Sequence, residues 1–273
     1  MPFNLTVKKM IALVIVVLVF ALVICVFYGY YHFNVLVEKD KEELFNHTGN
    51  SEKLVTKEDL DHLPNNMKDY LIKVGVIGKC KDCHAIIKQS GQIKQKQDGK
   101  WANFIAKQFV TAKPIGFVWA ARAFPVFVKD KSIEGVGEVN ISFLGLRSIA
   151  VHQSKETNES ALGRCLGELT LYPIGFLNND ITWKYIDENS IKATITVGGT
   201  TTEGVFYFDK NGLIDRFESK RYRDETLEDF TGKVENYQTK CGLHIPTKMK
   251  AIWNLKNGDF EYFNCNIIDY RIE

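Results

Sequence analysis

Cys80-Lys81-Asp82-Cys83-His84 is a C-x-x-C-H string. Its two thiols suit the vinyl groups of a c-type haem, and its imidazole suits the iron. Against that chemistry, Ala85 to Gln89 run into a Ser90-Gly91 turn rather than a helix, and no compact helical domain surrounds the motif. Read as extended chain, residues three apart diverge, which argues against a Cys80–Cys83 bridge. Zinc would need a second ligand pair at zinc spacing, and the sequence has none.

A second set is ionic. Arg164 and Glu168 stand at i,i+4 among Leu162, Leu166 and Leu169. On a surface such a pair is worth a few tenths of a kcal/mol, whereas amid leucines it lines a pocket. Arg122, Arg221 and Arg223 are candidates to join it, because Arg221 and Arg223 share a strand face and Tyr222 takes the other. A cluster of this kind holds a carboxylate or phosphate, or else ties the rim of a sheet together. Trp101, Trp119, Trp183 and Trp253, with 18 Phe and 11 Tyr, either pack a core or line a cavity for an acyl or isoprenoid chain. The expected ligand-binding set is therefore Trp101, Trp119, Arg122, Arg164, Glu168, Trp183, Arg221 and Arg223. No G-x-S-x-G, H-E-x-x-H, P-loop or Rossmann glycine pattern occurs, so no catalytic residue, metal or cofactor is assigned.

The elements that must position these groups begin with an apolar run. Met10 to Tyr28 carry no charge and just cover a bilayer core at helical rise. Tyr28, Tyr30 and Tyr31 form an interfacial belt, and Lys8 and Lys9 precede the run. No small-x-small cleavage site follows it, and Ile24 is the wrong residue before Cys25 for a lipobox. The expected topology is a single span with a cytoplasmic N-terminus and an extracytoplasmic main domain. Lys8 and Lys9 are the only charged residues among the first 33, so the remainder holds 33 basic and 33 acidic side chains. That balance excludes a nucleic-acid partner of the usual basic kind.

Beyond the anchor (residues 1–33), residues 34–56 read as a linker or a frayed extension of its helix. The main domain is expected over 57–273. A leading helix carries Leu63, Met67, Tyr70, Leu71 and Val74 on one face and ends at Gly75. Two-residue alternation then dominates, as in Ile191, Ala193, Ile195 and Val197, or Met249, Ala251, Trp253 and Leu255. Asn211-Gly212 and Asn257-Gly258 mark hairpins. One helix is inserted over Glu159–Leu169. About ten strands without βαβ alternation predict a mainly β (α+β) domain. It is a curved antiparallel, half-barrel-like sheet with the two helices on its concave face.

The chain resembles an uncharacterised family of membrane-anchored prokaryotic proteins, the domain of unknown function DUF6544 (formerly DUF6920). The likeness rests on Leu63-Pro64 with Gly75-Val76-Ile77-Gly78, on Gly99-Lys100-Trp101, and on Pro114, Phe117, Trp119, Ala121 and Arg122. Asp130, Gly135 and Gly137 continue it, followed by Arg164, Leu166, Glu168 and Pro173. Arg221-Tyr222-Arg223-Asp224, Ile245-Pro246 and Trp253 complete it. Leu171 stands where the family pattern expects Trp. The resemblance covers nearly all of residues 60–273 and implies no activity. By strand pattern the fold is also similar to the half-barrels of periplasmic lipoprotein carriers.

These readings converge on a membrane-anchored module that binds an apolar or amphiphilic, lipid-like ligand in a sheet-and-helix cavity. An envelope hydrolase using the Glu/Arg cluster and a c-type haem protein are the alternatives.

Overall fold

The computed structural model describes residues 3–46 and 53–273. Helix α1 spans Phe3–Asn46 and α2 spans Asn65–Val74. Strands β1 (His84–Ile93), β2 (Ala102–Ala112), β3 (Ile115–Ala123), β4 (Val126–Ile133), β5 (Val136–Phe143) and β6 (Arg147–His152) follow. Helix α3 (Lys155–Glu168) then leads to β7 (Ile181–Asp187), β8 (Ser190–Val197), β9 (Thr200–Phe208) and β10 (Ile214–Arg223). The chain ends in β11 (Thr226–Lys240), β12 (Leu243–Leu255) and β13 (Gly258–Ile272). All thirteen strands form one sheet in the order β6-β5-β4-β3-β2-β1-β13-β12-β11-β10-β9-β8-β7. Every pairing is antiparallel. The sheet curls through 247° without closing, the half-barrel that the alternation implies.

The concave face is filled unevenly. At one end Met67, Tyr70, Leu71 and Val74 of α2 pack with Leu171, Tyr172, Ile174 and Phe176 of the segment after α3, which holds two 3-10 turns, Leu169–Leu171 and Pro173–Leu177. That segment is tied down by Tyr172 Oη donating to the Cys83 carbonyl (2.6 Å) and Asn178 Nδ2 donating to the Ala112 carbonyl (2.9 Å). Gly75 ends α2 in the left-handed region (φ 81°), as its sequence position implies. Helix α3 crosses the trough, capped by Ser154, which accepts from the Thr157 N–H. It approaches β10 closely at Gly167, where a Cβ would fall 2.6 Å from Phe217 Cδ1.

Helix α1 lies on the opposite, convex face. Residues 34–46 continue it unbroken, so the helical-extension reading describes them, while residues 47–52 of the expected linker lie outside the described residues. Phe33, Val37 and Leu44 pack on Phe109, Val118, Ala120, Phe127 and Ile133. Buried Asp40 sits between Lys129 and Lys131, the latter at 2.9 Å. It is the one helix among the described residues long and apolar enough to cross a membrane.

One expectation fails outright. Cys80 and Cys83 are joined by a disulfide, with Cα atoms 5.5 Å apart. The chain turns here instead of extending: Gly78 takes φ 77°, and β1 begins only at His84. The bridge consumes both thiols that a haem would use, and the His84 ring stacks on Phe45 at 3.7 Å.

Asp40→Ala leaves two largely buried lysine side chains short of their shared carboxylate. Breaking a buried ion pair costs about 3–5 kcal/mol, and Glu43 and Glu138 near the same lysines place the expected loss at the lower end of that range. Urea unfolding of the full chain measures it. A loss near zero would mean that apolar contacts alone hold α1.

Candidate functional site

Beside α3 the trough stays open as a cavity of about 590 Å³, within the size range of small-ligand sites. Ile93, Val128, Val139, Ile141, Met249 and Phe263 contribute to its apolar wall. Strand alternation delivers these side chains: Phe117, Trp119 and Ala121 of β3 face the trough, while Val118, Ala120 and Arg122 face α1.

One polar chain crosses this apolar setting. Trp119 Nε1 donates to Gln89 Oε1 (2.8 Å), and Gln89 Nε2 donates to Gln108 Oε1 (2.8 Å). Gln108 Nε2 donates to Glu168 Oε2 (2.6 Å). Arg164 Nε donates to Glu168 Oε1 (2.8 Å), and Arg164 Nη1 donates to Asp130 Oδ2 (2.6 Å). The Arg164 guanidinium also lies over Phe117 (4.5 Å) and Trp119 (5.0 Å). Each donor points toward a carboxylate, so the buried amides of Gln89 and Gln108 are satisfied in series. Burial works against the charge on Arg164, but Glu168 and Asp130 outweigh it and hold its pKa above the usual value. Burial pushes the Asp130 carboxyl up, against the pull of Arg164 and Arg221.

The expected site residues divide. Trp119, Arg164, Glu168 and Arg221 line the cavity together. Arg221 donates from Nε to the Ser160 carbonyl (3.1 Å) and lies over Phe230 (4.5 Å). Arg223 sits over Phe260 (5.4 Å), as does Lys94 Nζ from the other strand pair (5.4 Å). Trp101 is partly exposed beneath Lys94 Nζ (4.8 Å) in the β1–β2 loop. Trp183 packs near Phe176 (5.9 Å) at the filled end, away from the cavity wall. Arg122 faces away from the trough, with its guanidinium over Tyr30 of α1 (4.6 Å).

Sequence reasoning missed Gln89, Gln108, Asp130 and the loop lysines Lys94, Lys96 and Lys100, which also line the cavity or its polar chain. The two glutamines were legible. Each falls in step with trough-facing apolar residues, Gln89 with Ala85 and Ile87, and Gln108 with Phe104 and Ala106. A polar residue on an apolar strand face needs a buried partner.

The family of unknown function DUF6544 matches residues 53–265. The chain belongs to this family. No curated protein matches it. Three solved structures are similar in part. An outer membrane lipoprotein-sorting protein domain from Vibrio parahaemolyticus shares 14% identity over 70% of this chain and 85% of its own, with a TM-score of 0.42. A DUF1329 family protein from Desulfovibrio piger shares 13% over 70% and 85%, with a TM-score of 0.41. A LolA superfamily protein from Nitrosomonas europaea shares 12% over 70% and 86%, with a TM-score of 0.38.

Each oxygen of Glu168 accepts a hydrogen bond, one from Gln108 Nε2 and the other from Arg164 Nε. Buried Cys165 and Cys265 are held as neutral thiols, each pushed up to about 12 by burial. A raised thiol pKa means the folded chain keeps a proton that the unfolded chain releases. Stability is therefore full below the unfolded pKa near 9 and falls as pH rises toward 12. Iodoacetamide is expected to spare both residues in the folded protein at pH 8 and to label them after unfolding. Peptide mapping reads the difference, and rapid labelling of the folded chain would refute the burial argument.

Proposed function

We propose that this protein is a membrane-anchored binding module whose half-barrel holds an apolar or amphiphilic, lipid-like ligand outside the cytoplasm. The observation that carries the reading is the cavity of about 590 Å³. It is left open beside α3 in a trough whose other end is densely packed, and its wall is largely apolar. A structural envelope domain would gain stability by filling such space, since an apolar void forfeits packing on every side.

The apolar chain of the ligand lies along Val128, Val139 and Met249. Its polar end lies toward Arg221, Arg223 and the loop lysines. Arg164 is ion-paired with both Glu168 and Asp130, so these three side chains brace the wall instead of meeting the ligand's charge. Helix α1 is the anchor. Lys8 and Lys9 before its apolar run support a cytoplasmic N-terminus.

Native followed by denaturing mass spectrometry of the full chain tests the reading. The expected result is an adduct released on denaturation and identified as an amphiphile. Val128→Trp, which fills the cavity, should abolish it. Stripping the ligand from the wild type should lower its Tm, since occupancy at 100 times Kd is worth about 2.7 kcal/mol. A bare polypeptide mass, with no adduct on wild type or Val128→Trp, would end the proposal.

A further inference from the structure

We infer that the cavity mouth is a membrane-docking rim that α1 holds against an anionic lipid surface. The inference rests on the reading of α1 as an anchor. Strand register places three connections at one end of β1–β5. Ile93 pairs with Ala102, Ile105 with Arg122, Ala123 with Val126, and Val126 with Phe143. The β1–β2 loop (94–101), the β3–β4 turn (124–125) and the β5–β6 turn (144–146) therefore share a rim.

Helix α1 meets the sheet at this rim. Gly29 lies so close to the β5–β6 turn that a Cβ there would overlap the Leu144 carbonyl oxygen. His32 Nδ1 hydrogen-bonds the Gly145 carbonyl at 2.9 Å. From that point α1 runs along the convex face to the opposite strand ends, where Leu44 contacts Gly116 and Phe45 stacks on His84. The exposed apolar run Met10–Tyr28 therefore projects outward from the rim, and its last residue is adjacent to Gly29. A bilayer crossed by that run lies about one helical turn from the rim.

The rim carries chemistry suited to that position. Phe124 is 71% exposed, Phe143 48% and Trp101 36%. Lys94, Lys96 and Lys100 flank Trp101, with Asp98 as the loop's only acid. Aromatic side chains interleaved with lysines suit a head-group layer, and the net positive loop favours anionic lipid. The cavity wall includes Lys94, Gly99 and Lys100 of that loop and Ala123 and Val126 beside the β3–β4 turn. The mouth and the lipid surface thus coincide, and an acyl chain could pass between them without crossing water.

The test uses the full chain in nanodiscs of phosphatidylcholine, with or without phosphatidylglycerol, containing lipids nitroxide-labelled near the head group. The difference between wild type and Trp101→Phe isolates the Trp101 fluorescence. Its quenching should be several-fold stronger with phosphatidylglycerol, and Lys96→Glu with Lys100→Glu should return it to the phosphatidylcholine level. Quenching that is absent in both nanodiscs, or indifferent to phosphatidylglycerol and to the charge reversal, would overturn the inference. Mass spectrometry of the same preparation separates the two proposals: an occupied cavity with an unquenched Trp101 refutes docking and leaves ligand binding standing. Failure to enter nanodiscs refutes the anchor.

Discussion

Thirteen antiparallel strands that curl through 247° enclose a trough wider than one layer of side chains can fill. An open curled sheet must cover its concave face or leave apolar surface wet. Here α2 and the segment Pro173–Leu177 plug one end with aromatic and aliphatic side chains. Helix α3 spans the other end without filling it. The buried face of α3, with Leu162, Cys165 and Leu166, packs into the core, and directional bonds fix its last turns beside the void. The chain from Trp119 through Gln89, Gln108 and Glu168 to Arg164 and Asp130 supplies them, joining β1, β2, β3 and β4 to the last turns of α3.

The same chain settles how charge is arranged around the cavity. Arg164 and Arg221 lie near Asp130 and Glu168, two basic and two acidic side chains on one wall. Two carboxylates saturate Arg164, whereas Arg221 has a backbone carbonyl and two aromatic rings as partners. An arginine with no carboxylate of its own keeps bonding capacity for an anion. The asymmetry divides the expected site by geometry: Arg164 and Glu168 are ion-paired, while Arg221, and Arg223 and Lys94 around Phe260, lie against aromatic rings.

Much of this was legible in the residues, and the failures have physical causes. Alternation in β8 and β12 gave antiparallel strands and a half-barrel, because one face of each is apolar and the other is not. It could not orient Arg122. Both faces of β3 are apolar, one toward the trough and one toward α1, so parity pairs residues without saying which set lies inside. The stretch after Phe33 read as polar because Asp40 interrupts the stripe of Val37 and Leu44. That carboxylate is buried only through Lys129 and Lys131, partners about 90 residues away in the chain. The first turn of α3 was hidden because Lys155–Asn158 precede its apolar face, and only the Ser154 cap marks the start. Ten strands were expected where thirteen form, since short two-faced strands blur into their turns. The Cys80–Cys83 bridge depends on a turn that extended-chain geometry does not allow.

Strand β4 links α1 to the cavity. Phe127, Lys129 and Lys131 point to α1, and Val126, Val128 and Asp130 point to the cavity. Alternate residues of one strand cannot move independently, because the backbone that carries them is fixed by ladders to β3 and β5. A tilt of α1 that displaced Asp40 would therefore pull on Lys129 and Lys131 and be felt at Asp130, the residue that receives Arg164. A flexible linker would isolate the sheet from the apolar run of α1. A continuous helix seated on β4 instead makes the orientation of α1 and the cavity shape parts of one rigid arrangement.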